Sequence, residues 1–254
     1  MSRQARRFER NSNTRVRKVI GESGHQPKQK FVEDRGERAK VVMPTPKNHN
    51  QKLLITALNT DIMVLVNGSG GSGKSFCVLA HAAKQLLEKK VEKIVLYRPY
   101  QPLANRTVGF LKGSANEKMM PFFAQQVAYL EQFLGKTAVQ MAIENGTIEL
   151  GLLEAARGRS FENAIVVIDE SQLLTPAEAQ ALSTRIGENC RVVFVGDSNQ
   201  RDDRKRDSGL SYLERIVSDY MIEDVGIIKF TANDIVRSGI TKAFVKAFDQ
   251  EGYL

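Results

Sequence analysis

The sequence predicts an α/β fold in which a parallel sheet is covered by helices on both faces, with a nucleotide site at one edge of that sheet. Three observations support this prediction. Short apolar runs alternate with amphipathic segments, a glycine-rich loop stands between the first run and a helix, and two carboxylates end a later run. With 254 residues and 42% hydrophobic content, the chain has enough apolar residues for a core, which excludes a short disordered peptide.

The apolar runs are continuous rather than alternating, which is typical of strands buried on both faces of a sheet. They occupy residues 62–66, 94–96, 164–168, 192–195 and 227–230. The amphipathic segments between them are long enough for crossover helices, which join parallel strands. These helices are predicted over residues 75–90, 115–134, 176–186 and 210–217.

The helix predicted over residues 176–186 has the clearest start and stop signals. Thr175 is a suitable N-cap, Pro176 fits the first helical position, and Glu178 completes a capping box. Gly187 follows the predicted end.

Further upstream, the pair at residues 145–146, Asn-Gly, leaves two alternatives open: a two-residue hairpin turn, or a loop that leads into another parallel strand.

The positive charge of the chain is concentrated at its N-terminus. The formal net charge is +8, and residues 1–40 contain twelve basic and five acidic residues, which leaves +7 there and +1 in the other 214 residues. This segment has few apolar residues, so residues 1–43 are predicted to form a flexible basic arm ahead of a folded domain at residues 44–254. Three roles stay open for the arm: a tether for nucleic acid, a docking tail for an acidic protein, or a solubility tail.

The cysteines and histidines exclude two kinds of structural site. Cys77 and Cys190 are too few for a disulfide framework, and the three histidines are too far apart for zinc-ligand spacing. No apolar stretch approaches the roughly 20 residues of a membrane-spanning helix, and no apolar signal region follows the N-terminus. We therefore expect a reducing, cytoplasmic location without a membrane, which for a bacteriophage protein is the host cytoplasm.

The glycine-rich loop at residues 68–75, Gly-Ser-Gly-Gly-Ser-Gly-Lys-Ser, matches the phosphate-binding pattern of P-loop NTPases, and it stands after a strand and before a helix. Its glycines let successive N–H groups point at phosphates, and the helix N-terminus adds partial positive charge. We predict that Lys74 reaches the β- and γ-phosphates and that the Ser75 hydroxyl ligates Mg²⁺. The alternative is a Gly/Ser turn that happens to precede a lysine. The predicted nucleotide-binding residues of the loop are Gly68, Ser69, Gly70, Gly71, Ser72, Gly73, Lys74 and Ser75.

Two adjacent carboxylates end the apolar run at residues 164–168. Asp169 is predicted to hold Mg²⁺ through its water shell, and Glu170 is predicted to polarise the attacking water. As purely structural residues, two acids at the end of a fully apolar strand would be costly. Helix capping remains an alternative for Glu170. The next strand ends in a polar loop, in which Gln200 either contacts the γ-phosphate or serves loop chemistry alone.

These motifs fall in one order along the chain. They are joined by Leu-Tyr-Arg-Pro at residues 96–99, Val-Gly-Phe-Leu at 108–111, Ala-Arg-Gly-Arg-Ser-Phe at 156–161, Gly-Asp-Ser-Asn-Gln at 196–200 and Ser-Gly-Leu at 208–210. In this order the sequence resembles the PhoH-like family of ATPases, especially the short versions carried by bacteriophages. The family is similar to the first RecA-like domain of superfamily 1 helicases, so the resemblance implies a RecA-like P-loop NTPase fold over about residues 46–240.

The resemblance implies roles for individual residues. Gln51 is implied to read the adenine edge of ATP, Lys74 and Ser75 to hold phosphate and Mg²⁺, and Asp169 and Glu170 to serve as the metal and water carboxylates. Gln200 is implied to sense the γ-phosphate. Arg237 matches a late arginine used as a finger on the transition-state charge, in cis or from a neighbouring subunit, and its alternative is a structural salt bridge.

Parts of the sequence depart from the family's usual pattern, and the family resemblance leaves the roles of three arginines open. The segment after Gln200, residues 201–207, is more charged than is usual, and no nuclease-type or RNA-binding domain is recognised. The resemblance does not settle the roles of Arg98, Arg157 and Arg159, for which contacts with single-stranded nucleic acid or phosphate are expected.

Taken together, the residues and the resemblance predict Mg²⁺-dependent ATP hydrolysis coupled to single-stranded RNA or DNA. They also predict a homo-oligomer, with a ring as one form of assembly, because a single RecA-like domain lacks a second lobe. The alternative is a nucleotide-gated binding or scaffold protein with vestigial hydrolysis. A small-molecule kinase shares the Lys-Ser pair of the loop, but Glu170 beside Asp169 argues against it.

Overall fold

The computed structural model describes residues 44–99, 115–156, 158–198, 208–236 and 239–251, all within a compact unit that spans Lys40–Leu254. The predicted basic arm, residues 1–43, lies outside the described residues. The strands are β1 Met63–Gly68, β2 Lys93–Arg98, β3 Ile148–Leu152, β4 Ala164–Ile168, β5 Arg191–Gly196 and β6 Val225–Phe230. The α-helices are α1 His49–Thr60, α2 Lys74–Leu87, α3 Ala115–Leu134, α4 Lys136–Glu144, α5 Pro176–Ser183, α6 Gly209–Tyr220 and α7 Ile240–Gln250.

The six strands form one sheet in the order β3-β2-β4-β5-β1-β6, and every pair is parallel. This result confirms the predicted α/β fold with a parallel sheet, which is the sheet type of P-loop NTPases. β5 lies between β1, which leads into the glycine-rich loop, and β4, which leads into the carboxylate pair. All strands run in one direction, so the residues that follow them meet at a single edge of the sheet.

Alternate side chains of the inner strands enter two separate cores, one on each face of the sheet. Val64 and Val66 of β1 join a core with α1, α2, α3 and α4, whereas Met63 and Leu65 join a core with α5 and α6. Burial on both faces explains why these strands are read as unbroken apolar runs. β4 shows this most clearly, since all five of its residues are buried.

Local capping signals fix the starts of two helices. Asn48 caps α1 by accepting a hydrogen bond from the Gln51 backbone N–H at 2.8 Å. In α5, the Thr175 hydroxyl accepts from the Glu178 N–H at 3.2 Å, and the Glu178 carboxylate accepts from the Thr175 N–H at 2.9 Å. The predicted capping box of α5 is therefore confirmed.

The prediction for the end of α5 was wrong. The helix ends at Ser183 rather than at residue 186, because the chain turns away to pair with Phe161. The Phe161 N–H donates to the Arg185 carbonyl at 3.0 Å, and the Gly187 N–H donates to the Phe161 carbonyl at 2.9 Å. A Cβ at Gly187 would lie 2.7 Å from that carbonyl oxygen, so this glycine permits a close approach of two backbones rather than ending the helix.

The Asn-Gly pair at residues 145–146 is a loop and not a hairpin turn. It follows α4 and leads into β3, which lies at the edge of the sheet and pairs parallel to β2. Residues 141–143, which would form the first strand of such a hairpin, belong to α4. In the described part of the chain, no helix is long and apolar enough to cross a membrane.

Candidate functional site

Four neighbouring strands carry the chemistry-bearing residues to one edge of the sheet. Arg98 ends β2, Asp169 and Glu170 follow β4, Asp197 follows β5, and Gly68 ends β1. A cavity of about 370 Å³ opens at this edge. The walls of the cavity include Gln51, Gly70, Gly71, Gly73, Lys74, Ser75, Asp169, Glu170 and Asp197. The structure thus gathers the sequence-predicted loop and the predicted carboxylate pair around one space.

The glycine-rich loop depends on glycine at its two ends. Gly68 has a φ of +130°, and a Cβ there would lie 1.9 Å from the Phe230 carbonyl oxygen of β6. Gly73 has a φ of +83°, and a Cβ there would lie 2.7 Å from Gln51 Nε2. An L side chain rarely adopts either conformation, so both positions need glycine for backbone geometry and for space.

Lys74 begins α2, and its ammonium group lies inside the loop. Lys74 Nζ donates to the carbonyls of Gly68 and Ser69, the second at 2.9 Å, and to Ser72 Oγ at 3.4 Å. Burial lowers the pKa of Lys74, and the negative charges of Asp197, Asp169 and Glu170 oppose that effect. The ammonium is therefore held in a mostly buried position on the wall of the cavity, within the loop predicted to bind phosphate.

Gln51 lies under the loop rather than free in the cavity. Its Nε2 donates to the Ser72 carbonyl at 2.8 Å, and its Oε1 accepts from the Lys47 backbone N–H at 2.7 Å. Only 4% of Gln51 is exposed. The side chain therefore joins Lys47, which precedes α1, to the glycine-rich loop. One amide hydrogen and one lone pair remain beyond these bonds for a ligand.

Asp169 is held by contacts with strand β2 and helix α3. Its backbone N–H donates to the Tyr97 carbonyl at 2.9 Å, and its Oδ2 accepts a hydrogen bond from Gln126 Nε2 of α3. Burial raises the pKa of Asp169, and the adjacent negative charge of Glu170 raises it further. A cation beside this carboxylate would relieve both costs, because it favours the charged form.

Glu170 has a backbone φ of +54°, a conformation that residues other than glycine seldom adopt. Both of its carboxylate oxygens have partners. Oε1 forms an ion pair with Arg98 Nη2 at 3.0 Å, and Oε2 accepts from Gln172 Nε2 at 2.7 Å. Strained backbone held by several contacts is common at functional positions.

Asp197, after β5, contacts the phosphate loop directly. Its Oδ2 accepts from the Gly70 N–H at 3.2 Å, and its own N–H donates to Gln172 Oε1 at 3.1 Å. Just upstream of the loop, Asn67 Oδ1 accepts from the Ser198 N–H at 3.0 Å. The tips of β1 and β5 are therefore joined by hydrogen bonds on both sides of the loop's first glycine.

Sequence reasoning predicted none of the three contacts that organise the carboxylates. Arg98, whose role was left open, is paired with Glu170, and Gln172 and Gln126 hold Glu170 and Asp169 respectively. Gln172 stands two residues after Glu170, so its position was a usable signal. Gln126 is 43 residues before Asp169, and nothing in its local sequence indicates the contact.

Other predicted site residues are elsewhere or are not described. Arg159 is paired with Glu149 of β3 at 2.9 Å, and its Nη1 lies 3.4 Å from the Tyr97 hydroxyl oxygen. Gln200, Arg237 and Arg157 lie outside the described residues, so their roles stay predictions.

The residues at the cavity suit a magnesium ion better than a transition metal. Within the described ranges, no group of three or more His, Cys, Asp or Glu residues is arranged to hold a metal. The oxygen donors that line the cavity include the Ser75 hydroxyl and the carboxylates of Asp169, Glu170 and Asp197. Mg²⁺ is usually held by one or two protein oxygens together with waters and phosphate oxygens, so this set fits it.

Comparison with known proteins gives consistent matches over most of the chain. The family model described as PhoH-like protein matches residues 43–249. Protein PhoH from Escherichia coli (strain K12) is 36% identical over 206 residues, which cover 80% of this chain and 57% of that protein. The PhoH-like protein from Synechocystis sp. is 30% identical over 227 residues, which cover 89% of this chain and 68% of that protein. The PhoH-like protein from Bacillus subtilis is 28% identical over 222 residues. The matched region therefore spans a little over half the length of the E. coli relative.

Proposed function

The chain belongs to the PhoH-like protein family, and we propose that it is a Mg²⁺-dependent ATPase that acts on single-stranded nucleic acid. PhoH family proteins generally bind ATP. The observation that carries the proposal is the single cavity lined by the phosphate loop, by Lys74 and Ser75, and by both carboxylates. Nucleotide binding alone would not require a second, strained carboxylate beside the first.

The phosphate groups of ATP would lie against the loop N–H groups and the start of α2. Lys74, whose ammonium is already held in this loop, would neutralise charge that develops on the β- and γ-phosphates. Ser75 and Asp169 would hold Mg²⁺, which supplies further neutralisation of the phosphate oxygens. Hydrogen bonds and charges preorganised in this way stabilise the transition state with little rearrangement.

Glu170 would act as the general base. It lines the cavity next to Asp169, and its carboxylate would accept the proton of the water that attacks the γ-phosphate in line. The product is ADP and inorganic phosphate, with the proton passed from water to Glu170 and then to solvent. Gln200 would contact the γ-phosphate or the attacking water, in the role that the family resemblance implies.

Nucleic acid is the proposed partner because the charge of the chain is so unevenly distributed. Residues 1–40 contain twelve basic and five acidic residues, and such a segment neutralises nucleic-acid phosphates in a salt-dependent way.

We further propose a homo-oligomer in which a neighbouring copy completes the nucleotide site, with Arg237 as the residue supplied. Sedimentation with ATP and Mg²⁺ tests this, and a strictly monomeric protein would contradict it.

The proposal is tested by phosphate release from ATP and Mg²⁺ with and without single-stranded RNA and single-stranded DNA. We expect one polymer to raise kcat, which would identify the nucleic acid on which the enzyme acts. Deletion of residues 1–40 should then weaken polymer binding and flatten its salt dependence while ATP turnover without polymer is retained. Turnover that neither polymer changes would favour a protein-activated scaffold instead.

A further inference from the structure

The carboxylate of Glu170 is held at both oxygens by side chains from two different parts of the fold. Arg98 Nη2 donates to Oε1 at 3.0 Å, and Gln172 Nε2 donates to Oε2 at 2.7 Å. A carboxylate offers about four acceptor positions in total. Each oxygen therefore keeps a lone pair for another donor, such as a water molecule. We call Arg98 and Gln172 together the Glu170 clamp.

Arg98 is itself anchored to a second element. Its other terminal nitrogen, Nη1, donates to the Phe122 carbonyl of α3 at 2.9 Å. The planar fork of one guanidinium thus connects the end of β2, helix α3 and the Glu170 carboxylate in a fixed geometry. The single nitrogen of a lysine has no matching pair of fixed directions.

Gln172 is anchored on the opposite side. Its Oε1 accepts from the Asp197 N–H at 3.1 Å, and only 2% of the residue is exposed. A Cβ at Gly196 would lie 2.7 Å from that Oε1 and 2.9 Å from the Gln172 backbone nitrogen. Glycine at position 196 therefore leaves the space that the Gln172 amide occupies.

Stability alone does not explain this arrangement. The side chains of Arg98 and Glu170 are 32% and 34% exposed, and ion pairs so open to water contribute little to folding. Glu170 also has a left-handed backbone conformation, which persists only where its surroundings enforce it. What the contacts do achieve is a single orientation for one carboxylate at the cavity.

We infer that Arg98 and Gln172 are positioning residues that aim the Glu170 carboxylate at the attacking water. This inference rests on the proposed function, because it requires Glu170 to be the general base. It adds that the base is oriented by α3 on one side and by the tip of β5 on the other. Movement of either element would therefore change the rate of hydrolysis without removing a group that touches ATP.

The test is Arg98→Met, which removes both hydrogen bonds of the guanidinium but keeps a similar aliphatic stem. Displacing a reacting group by about 1 Å costs up to about 100-fold in rate, so we expect kcat to fall about 10- to 100-fold. The Kd for a fluorescent ATP analogue should stay within about twofold, because Arg98 does not line the cavity. Lys93→Met is the matched control, since Lys93 forms a 2.7 Å ion pair with Glu149 at the other end of the same strand.

A double-variant cycle with Glu170→Gln shows whether Arg98 acts through Glu170. Single-turnover hydrolysis by Arg98→Met/Glu170→Gln should be no slower than by Glu170→Gln alone. The inference is overturned if Arg98→Met keeps the wild-type kcat, if it loses ATP affinity as much as kcat, or if the two losses multiply. If Arg98→Met does not fold, as judged by its thermal unfolding, Gln172→Glu replaces it in the same assays, because its carboxylate still accepts from the Asp197 N–H and no longer donates to Glu170.

The two levels of failure are distinguishable in this design. Wild-type protein that hydrolyses ATP no faster than Glu170→Gln contradicts the proposed function and, with it, the role of the Glu170 clamp. Wild-type turnover that Glu170→Gln abolishes and Arg98→Met leaves intact contradicts the clamp alone.

Discussion

We expect His81 to make the free energy of unfolding dependent on pH. It lies on α2, whose first turn contains Lys74 and Ser75, and it is 2% exposed. In the described part of the chain its Nε2 has no hydrogen-bond partner. Burial, together with the nearby positive charges of Arg191, Lys84 and Lys90, lowers the pKa of His81 from 6.5 to about 4.

The sign of the effect follows from proton binding. The unfolded chain takes up the proton near pH 6.5, whereas the folded protein takes it up only near pH 4. Between these values the unfolded state binds more protons, so the free energy of unfolding falls as the pH falls. The full difference corresponds to about 3 kcal/mol, and about 2 kcal/mol of it is lost between pH 7 and pH 5.

Urea unfolding at pH 7 and pH 5 measures this directly. We expect His81→Gln to lose about 2 kcal/mol less than the wild type over that interval, whatever its stability at pH 7. The control His49→Gln, at an exposed position that begins α1, should keep the wild-type pH dependence. An equal pH dependence in His81→Gln and the wild type would show that His81 does not cause this loss of stability.

Three further variants test the site and its supports. Lys74→Ala should weaken ATP binding about 10- to 100-fold, as expected for loss of a hydrogen bond to a charged group; unchanged affinity in a titration would contradict its placement at the phosphates. Gly196→Ala should lower the free energy of unfolding by about 1–3 kcal/mol through overpacking against Gln172, with a kcat loss that exceeds any loss of ATP affinity. Thr175→Ala should cost about 1 kcal/mol in urea unfolding because α5 loses its N-cap, and kcat should not change.

Those parts of the fold that depend on local pattern were predictable from the sequence. The bounds of β4 and of α3 agree with the predicted residues 164–168 and 115–134. The five apolar runs all became strands, although most extend one or two residues beyond the run. A strand that is buried on both faces has apolar residues at consecutive positions, which is why these strands could be found.

Elements with mixed patterns were missed. Helices α1, α4 and α7 were not predicted, and β3 was left as one of two alternatives. β3 lies at the edge of the sheet and only its first residue is buried, so it lacks the unbroken apolar run of the inner strands. The early end of α5 depends on pairing with Phe161, which is distant in sequence and leaves no signal near Ser183.

The same distinction applies to the site. The glycine-rich loop and the carboxylate pair were predictable because each is a contiguous motif. The contacts that orient the carboxylates were not, because Arg98 and Glu170 are separated by 72 residues and Gln126 and Asp169 by 43. Gln51 was assigned to adenine through the family resemblance, and the structure adds that it supports the loop through the Ser72 carbonyl.

Glu170→Gln should separate ATP binding from ATP hydrolysis, because Glu170 is proposed to activate the attacking water. ATP affinity and steady-state phosphate release are measured with Mg²⁺ for the wild type and for Glu170→Gln prepared in parallel. We expect similar ATP affinity in the two proteins and a kcat lower by about 100-fold or more in Glu170→Gln, the contribution of a general base. Equal phosphate release by the two proteins would show that Glu170 is not the general base.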